Sequence, residues 1–217
     1  MEKYSNRFEA GAILAKLLDH YKNRADVLVL ALPRGGVPVA YEIAKYLHAP
    51  LDVFIVRKLG VPGHPELAMG AMAIGNVFVF NDQLIKDLHI PRSAIDRVIN
   101  EESIELNRRQ QLYRGTRLFP EIKGKTIILV DDGVATGATM RVAIKALRTF
   151  EPEAIILAIP VADQMICDLL EKQVDQLICP LIPEQLYAVG AWYQEFGQTE
   201  DEEVFELMEM ARKEMEG

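Results

Sequence analysis

Apolar runs of strand length alternate with helix-like segments along this sequence, and this alternation limits the possible folds more than any other feature. Most residues of these runs are apolar, which indicates strands that are buried on both faces. Helices that cover both faces of a parallel sheet produce this pattern, so we expect an α/β fold with a central, mostly parallel sheet flanked by helices. The runs are residues 26–32, 51–56, 126–130, 154–161 and 174–178.

The segments between the runs suggest helices, a loop and a hairpin. Residues 59–70 hold two prolines and three glycines, which indicates a loop that is too long for a simple connection. A short hairpin is predicted around Gly75-Asn76, and a capping box of Thr199 and Glu202 marks the start of the last helix. The other helices are expected over 6–21, 36–48, 93–116 and 138–150, with Glu105 and Arg109 spaced to pair in the charged third helix.

Composition limits the class of protein. The chain has 217 residues, of which 50% are hydrophobic and 26% charged, so we expect one globular domain. A net charge of −8 argues against a nucleic-acid partner, and no apolar stretch approaches the ~20 residues that span a bilayer. The first residues lack the apolar core of a signal peptide, so we expect a cytoplasmic protein. Cys167 and Cys179 lack metal-ligand spacing and are predicted to be buried free thiols.

One segment combines acidic residues with a loop of small residues. The strand over 126–130 is followed by Asp131-Asp132-Gly133-Val134-Ala135-Thr136-Gly137-Ala138-Thr139, which leads into a helix. Small residues let backbone N–H groups converge at the helix N-terminus, where a phosphate monoester binds well. Two carboxylates before the loop can accept hydrogen bonds from vicinal hydroxyls. A phosphate beside a diol is the chemistry of ribose 5-phosphate.

This segment, together with the four hydrophobic residues before it, resembles the phosphoribosyl pyrophosphate (PRPP) motif of type I phosphoribosyltransferases. It lacks the Gly-Lys-Ser/Thr ending of a P-loop. The stretch from Val56 to Ala68 is similar to the uncharacterised predicted phosphoribosyltransferase branch of that family. The resemblance implies the type I phosphoribosyltransferase fold, with a core over about 25–180, a small hood subdomain from about 1–20 plus 181–217, and a mobile flap over about 59–80.

The resemblance also assigns functions to residues. Asp131 and Asp132 are expected to hold the ribose and Mg²⁺, the metal directly or through water, and residues 131–139 are expected to bind PRPP. Arg34 and Lys58 join the two aspartates as catalytic residues. Pyrophosphate is expected to contact Pro33, Arg34, Gly35 and Gly36 and, at the end of the second strand, Arg57 and Lys58.

The reaction implied by the resemblance transfers the 5-phosphoribosyl group of PRPP to a nitrogenous, nucleobase-like acceptor and releases pyrophosphate, as in nucleotide salvage. Tyr187, Trp192 and Tyr193 are candidates for contact with the acceptor. The general base stays unassigned between His64 and Glu66. The alternative is a non-catalytic regulatory protein that binds PRPP or a nucleotide. A homodimer is common in the family, and no membrane partner is expected.

Overall fold

The computed structural model describes residues 3–216 and has a five-stranded parallel sheet at its centre. Its strands are β1 (Val27–Ala31), β2 (Leu51–Val53), β3 (Val56–Val61), β4 (His64–Ala73), β5 (Val77–Phe80), β6 (Thr126–Val130), β7 (Ala154–Ala158) and β8 (Gln176–Ile178). Its α-helices are α1 (Arg7–Leu17), α2 (Gly36–Leu47), α3 (Asp82–Asp87), α4 (Arg92–Arg114), α5 (Ala138–Arg148), α6 (Gln164–Glu171) and α7 (Asp201–Glu216). The central sheet has the order β2-β1-β6-β7-β8 with every pair parallel.

Both faces of the central sheet are covered, as the continuous apolar runs predicted. One face of β1 and β6 packs against α1, α2 and α7, and the opposite face packs against α5 and α6. Alternate residues of a strand point to opposite faces, so Val29 and Leu30 of β1 lie in different clusters. The predicted α/β class is therefore confirmed. Within residues 3–216, no helix combines the length and the apolarity needed to cross a membrane.

The segment predicted as a loop over 59–70 is instead part of a second, antiparallel sheet with the order β3-β4-β5. Leu59, Val61 and Met69 are buried on its inner face, whereas residues 63–67 at the tip of the first hairpin are exposed. Packing of the apolar face against α4 and α5 outweighs the low strand propensity of the prolines and glycines. The hairpin predicted around Gly75-Asn76 is confirmed.

Two further predictions about local structure were wrong. Arg57 and Lys58 do not end the second strand, because the chain leaves the central sheet after Val53 and both residues lie within β3. The last helix begins at Asp201, so Thr199 precedes it by two residues and the capping box is not formed. The short helix α3 was not predicted. The pair of Glu105 and Arg109 is present, with 2.7 Å between Oε1 and Nε. Both cysteines are free thiols, but only Cys167 is buried, since Cys179 is partly exposed.

A buried ion pair joins the end of α4 to the edge of the central sheet. Arg114 Nε lies 3.0 Å from Asp52 Oδ1 on β2, and only 1% of the arginine side chain is exposed. Its guanidinium also stacks on Phe119 and donates to the Leu118 carbonyl, while Nη1 has no partner among the described residues. Burial raises the pKa of Asp52 and the charge of Arg114 opposes that shift. The pair therefore fixes the end of α4, although burial of the two charges costs desolvation free energy.

The two ends of the chain meet beside the carboxyl edge of the central sheet. Tyr4 forms a parallel bridge with Tyr193, with hydrogen bonds from Tyr4 N to the Trp192 carbonyl and from Gln194 N to the Tyr4 carbonyl. A separate apolar cluster forms there, made by Tyr4, Ala10, Val161, Leu181 and Tyr193, with Val189, Trp192 and Phe196 packed around them. We call this group the aromatic cluster.

Candidate functional site

Asp131 and Asp132 lie at the carboxyl end of β6, between β1 and β7, where parallel sheets of this kind bind ligands. The turn after β1 packs directly against them. An added Cβ at Gly35 would lie 2.1 Å from Asp132 Oδ2, and one at Gly36 would lie 3.0 Å from the Asp131 Cα. Glycine is thus required for this close approach. The structure therefore brings the predicted pyrophosphate turn and the predicted ribose carboxylates together.

Burial makes these two carboxylates unusual acids. It raises the pKa of Asp131 well above its ordinary value, and the neighbouring negative charge of Asp132 adds to that effect. Burial also raises the pKa of Asp132, although a hydrogen bond from Arg7 acts in the opposite direction. Asp131 Oδ1 accepts a hydrogen bond from the Asp132 backbone N–H at 2.9 Å, which fixes the orientation of its carboxylate. A polar or cationic ligand would relieve the repulsion between the two side chains.

Arg7 is a site residue that the sequence did not reveal. From the first turn of α1, its Nε donates to Asp132 Oδ2 at 2.8 Å, and its Nη1 donates to the Gly197 carbonyl at 2.7 Å. The guanidinium lies 3.9 Å from the ring centroid of Phe196. The Tyr193 hydroxyl donates to the Asp132 carbonyl at 2.6 Å. The aromatic cluster therefore holds both the side chain and the backbone of Asp132.

The loop after Asp132 presents free backbone donors to the solvent. Val134 N donates to the Val161 carbonyl, which anchors the loop to the end of β7. Gly137 has φ of +74°, a left-handed conformation that favours glycine, and α5 begins at the next residue. The N–H groups of Ala135, Thr136, Gly137 and Thr139 have no acceptor among the described residues. Unpaired N–H groups at a helix N-terminus are suited to a phosphate.

The predicted basic residues are paired with protein groups. Arg34 Nη1 lies 3.6 Å from Glu200 Oε2 and 3.8 Å from Asp201 Oδ1, at the start of α7. Arg57 pairs with Glu102 of α4, with 2.6 Å between Nη2 and Oε2. Lys58 has no carboxylate partner among residues 3–216, and its Nζ lies 3.4 Å from the Glu66 carbonyl. Arg34 directly precedes Gly35 and Gly36 of the glycine turn, whereas Arg57 and Lys58 belong to the antiparallel sheet.

The three aromatic candidates for the acceptor differ in exposure. Tyr187 is 89% exposed, Trp192 is half-buried and Tyr193 is only 4% exposed. The Tyr193 ring packs between Tyr4 and Phe196, with ring centroids 5.4 Å and 4.9 Å away. Tyr193 therefore supports Asp132 from inside the aromatic cluster, and its ring faces are occupied. Trp192 and Tyr187 retain accessible surface.

Gly35→Ala is expected to weaken PRPP binding by about 10-fold or more, because the new methyl group would displace the Asp132 carboxylate from Arg7. The backbone of Gly35 already has a right-handed helical conformation, so alanine adds no torsional strain there. Gly197→Ala is the matched control, since nothing lies within 4 Å of a Cβ at that position. The affinity is measured by calorimetric titration, and equal affinity of the two variants would contradict the contact.

Comparison with known proteins shows the family of this chain. The family described as "Phosphoribosyl transferase domain" matches residues 75–183, which is half of the chain. One relative is a Mycobacterium tuberculosis protein that has been named a phosphoribosyl transferase by inference. It is 41% identical over 213 residues, and the match covers 98% of this chain and 48% of that protein. This chain thus spans about half the length of that relative.

Two further proteins are similar to this chain, one in sequence and one in both sequence and fold. The "Bifunctional protein PyrR" of Brevibacillus brevis is 32% identical over 132 residues, 60% of this chain and 69% of that protein. The crystal structure of TT1426 from Thermus thermophilus is 36% identical with a TM-score of 0.84, covering 95% of this chain and 97% of that one. On the matched sequence and fold together, the chain belongs to the phosphoribosyl transferase domain family.

Proposed function

We propose that this protein transfers the 5-phosphoribosyl group from PRPP to a nitrogenous, nucleobase-like acceptor and releases pyrophosphate. The observation that carries the proposal is the juxtaposition of two oriented carboxylates with a loop of unpaired N–H groups at one sheet edge. The carboxylates suit the two ribose hydroxyls, and the loop over 135–139 suits the 5-phosphate. The bond from C1 to the pyrophosphate oxygen breaks, and a bond from C1 to the acceptor nitrogen forms.

Pyrophosphate leaves toward the glycine turn in this proposal. Gly35 and Gly36 allow the backbone to approach the pyrophosphate oxygens closely, and Arg34 supplies a planar donor. Its exposed partner Glu200 forms only a weak pair at this distance, so Arg34 is free to exchange it for the ligand. Lys58, which has no carboxylate partner among the described residues, is the second cation of the proposal. Charge stabilisation at the leaving group is the main catalytic effect expected here.

The same carboxylates fit Mg²⁺, because hard oxygen ligands suit this ion. Among the described residues there is no cluster of three or more metal-binding side chains. Asp131 and Asp132 would therefore share the ion with oxygens of the ligand, directly or through water, as Mg²⁺ usually binds with substrate phosphates. Bound Mg²⁺ would supply positive charge next to the pyrophosphate. Arg7 would orient Asp132, and its hydrogen bond opposes the rise that burial causes in the pKa of that carboxyl.

The acceptor is proposed to bind beside the aromatic cluster, where Trp192 and Tyr187 expose their rings and Tyr193 supports Asp132. The antiparallel sheet over 56–80 is proposed to act as the flap, with residues 63–67 at its exposed tip moving over the site on closure. Closure would exclude water, which competes with the acceptor for C1. His64 and Glu66 lie at this tip, 3.4 Å apart, as candidates for the general base.

Titration of the protein with PRPP, with and without Mg²⁺, tests the proposal. We expect Mg²⁺-dependent binding, followed by pyrophosphate release when nucleobases are supplied one at a time. Binding without release for any base would favour the alternative of a regulatory protein. A wild-type protein that does not bind PRPP at all would refute the proposed function.

A further inference from the structure

A cavity of about 400 Å³ lies between the antiparallel sheet and α5, and it begins at the phosphate loop. Ala138, whose N–H belongs to that loop, lines one end of it. The size is within the range of about 300–1,000 Å³ that is typical of small-molecule sites. The other lining residues are Ala68, Gly70, Val79, Phe80, Asn81, Asp82, Arg141, Val142 and Lys145.

Two cations project into this cavity from α5. Arg141 and Lys145 are exposed, and neither has a carboxylate partner within the part of the chain that the structure describes. Asp82 is the single acid of the lining. In a protein with a net charge of −8, an unpaired pair of cations at a cavity wall is a local exception that favours an anion.

The two cations lie one after the other along α5, in the direction that leads from the phosphate loop into the cavity. Arg141 and Lys145 are four residues apart on one helix, so they lie on the same face. Side chains of a helix lean toward its N-terminus, so both are directed back toward Ala138. Arg141 is three residues from Ala138, or about 4.5 Å along the helix axis, which is within reach of a group attached to a phosphate in the loop.

Apolar side chains flank the two cations. Val79 and Phe80 face them from β5, and Val142 lies beside them on α5. An ion pair is stronger in such surroundings than in open solvent. The cavity thus provides two successive cationic partners for a chain of anionic groups. They lie next to a helix N-terminus that already favours an anion.

We propose that this cavity binds the second and third phosphoryl groups of a nucleoside 5′-triphosphate. The first phosphate of that ligand occupies the loop over 135–139, and its ribose lies at Asp131 and Asp132. This inference rests on the proposed function, because it uses the same ribose and phosphate positions. The ligand excludes PRPP from the site, so a nucleoside triphosphate inhibits the transfer.

The test compares the adenosine, guanosine, uridine and cytidine mono-, di- and triphosphates as competitors of PRPP. For the base that binds most tightly, affinity is expected to rise with each added phosphate. The variant Arg141→Ala/Lys145→Ala should lose about 30-fold or more in triphosphate affinity. Its affinity for the monophosphate and for PRPP should change by less than about threefold, because neither ligand reaches the cavity.

Lys16→Ala/Lys172→Ala is the control, since it removes the same charge from exposed positions on other helices. Equal affinity for mono- and triphosphates, or undiminished triphosphate binding by the cavity variant, would overturn the inference while PRPP binding stands. Failure of the wild-type protein to bind PRPP would instead refute the proposed function, so the two failures are distinguishable. If the control variant weakens triphosphate binding to the same degree, this result also counts against the cavity as the binding site.

Discussion

Asp131→Asn is expected to lower the affinity for Mg²⁺ and PRPP by about 100-fold, because it removes a charged acceptor from the proposed ribose site. The side chain stays in place, since the asparagine carbonyl can still accept the hydrogen bond from the Asp132 N–H. Calorimetric titration measures the change. Asp168→Asn is the control, because within residues 3–216 this exposed aspartate bonds only to Gln164 on the same helix. Equal affinity of both variants would reject the role of Asp131.

The same substitution is expected to increase the stability of the ligand-free protein by about 1 kcal/mol. Burial raises the pKa of Asp131, so the wild-type protein loses stability as the pH rises from the ordinary value of 3.8 through the raised native value. Asparagine does not titrate and removes that loss. The advantage of the variant should therefore be small near pH 3.8 and should grow as the pH rises, becoming full above the raised native value. Urea unfolding at several pH values measures it.

Arg114→Ala is expected to destabilise the fold by about 3–5 kcal/mol, because it leaves the carboxylate of Asp52 buried without its partner. The pKa of Asp52, which burial already raises, should rise further. For an acid whose native pKa is raised, the destabilisation is smallest below its ordinary value of 3.8 and is fully present above the native value. Urea unfolding at acidic and neutral pH should show this difference.

Arg212→Ala is the control for that prediction. Arg212 lies on α7, its side chain is 42% exposed, and it pairs with Glu209 and Glu216 of the same helix. Its removal should cost less than about 1 kcal/mol. The double variant Asp52→Leu/Arg114→Met removes both charges and should recover most of the stability. A similar cost for the two single arginine variants would show that the buried pair has no special effect.

Local sequence was enough to predict the central sheet but not the antiparallel one. The strands β1 and β6 are continuous apolar runs that only burial on both faces explains. The run over 51–56 looked like one strand, yet Phe54 N donates to Ala31 and Ile55 accepts from Ile74, so the chain changes sheets there. No local signal marks such a change. The prolines and glycines over 59–70 also concealed strands that form because their apolar face packs on two helices.

The candidate site was likewise predictable from the sequence only in part. The loop over 131–139 could be located because its carboxylates, small residues and helix start are contiguous in sequence. Arg7 could not, because it is 125 residues from the aspartate that it contacts. The pairing of Arg34 with the start of α7 likewise depends on how the chain ends are arranged in space. Sequence identifies ligand-binding loops better than the distant side chains that orient them.

The meeting of the chain ends beside the sheet has a consequence for folding order. Arg7 contacts a carbonyl 190 residues later, and contacts of such long sequence separation tend to form late. We therefore expect the central sheet to assemble before Asp132 acquires its arginine, which requires residues 4–7 and 193–197 to have docked. Limited proteolysis near either terminus should accordingly abolish ligand capture in a molecule whose sheet is still folded.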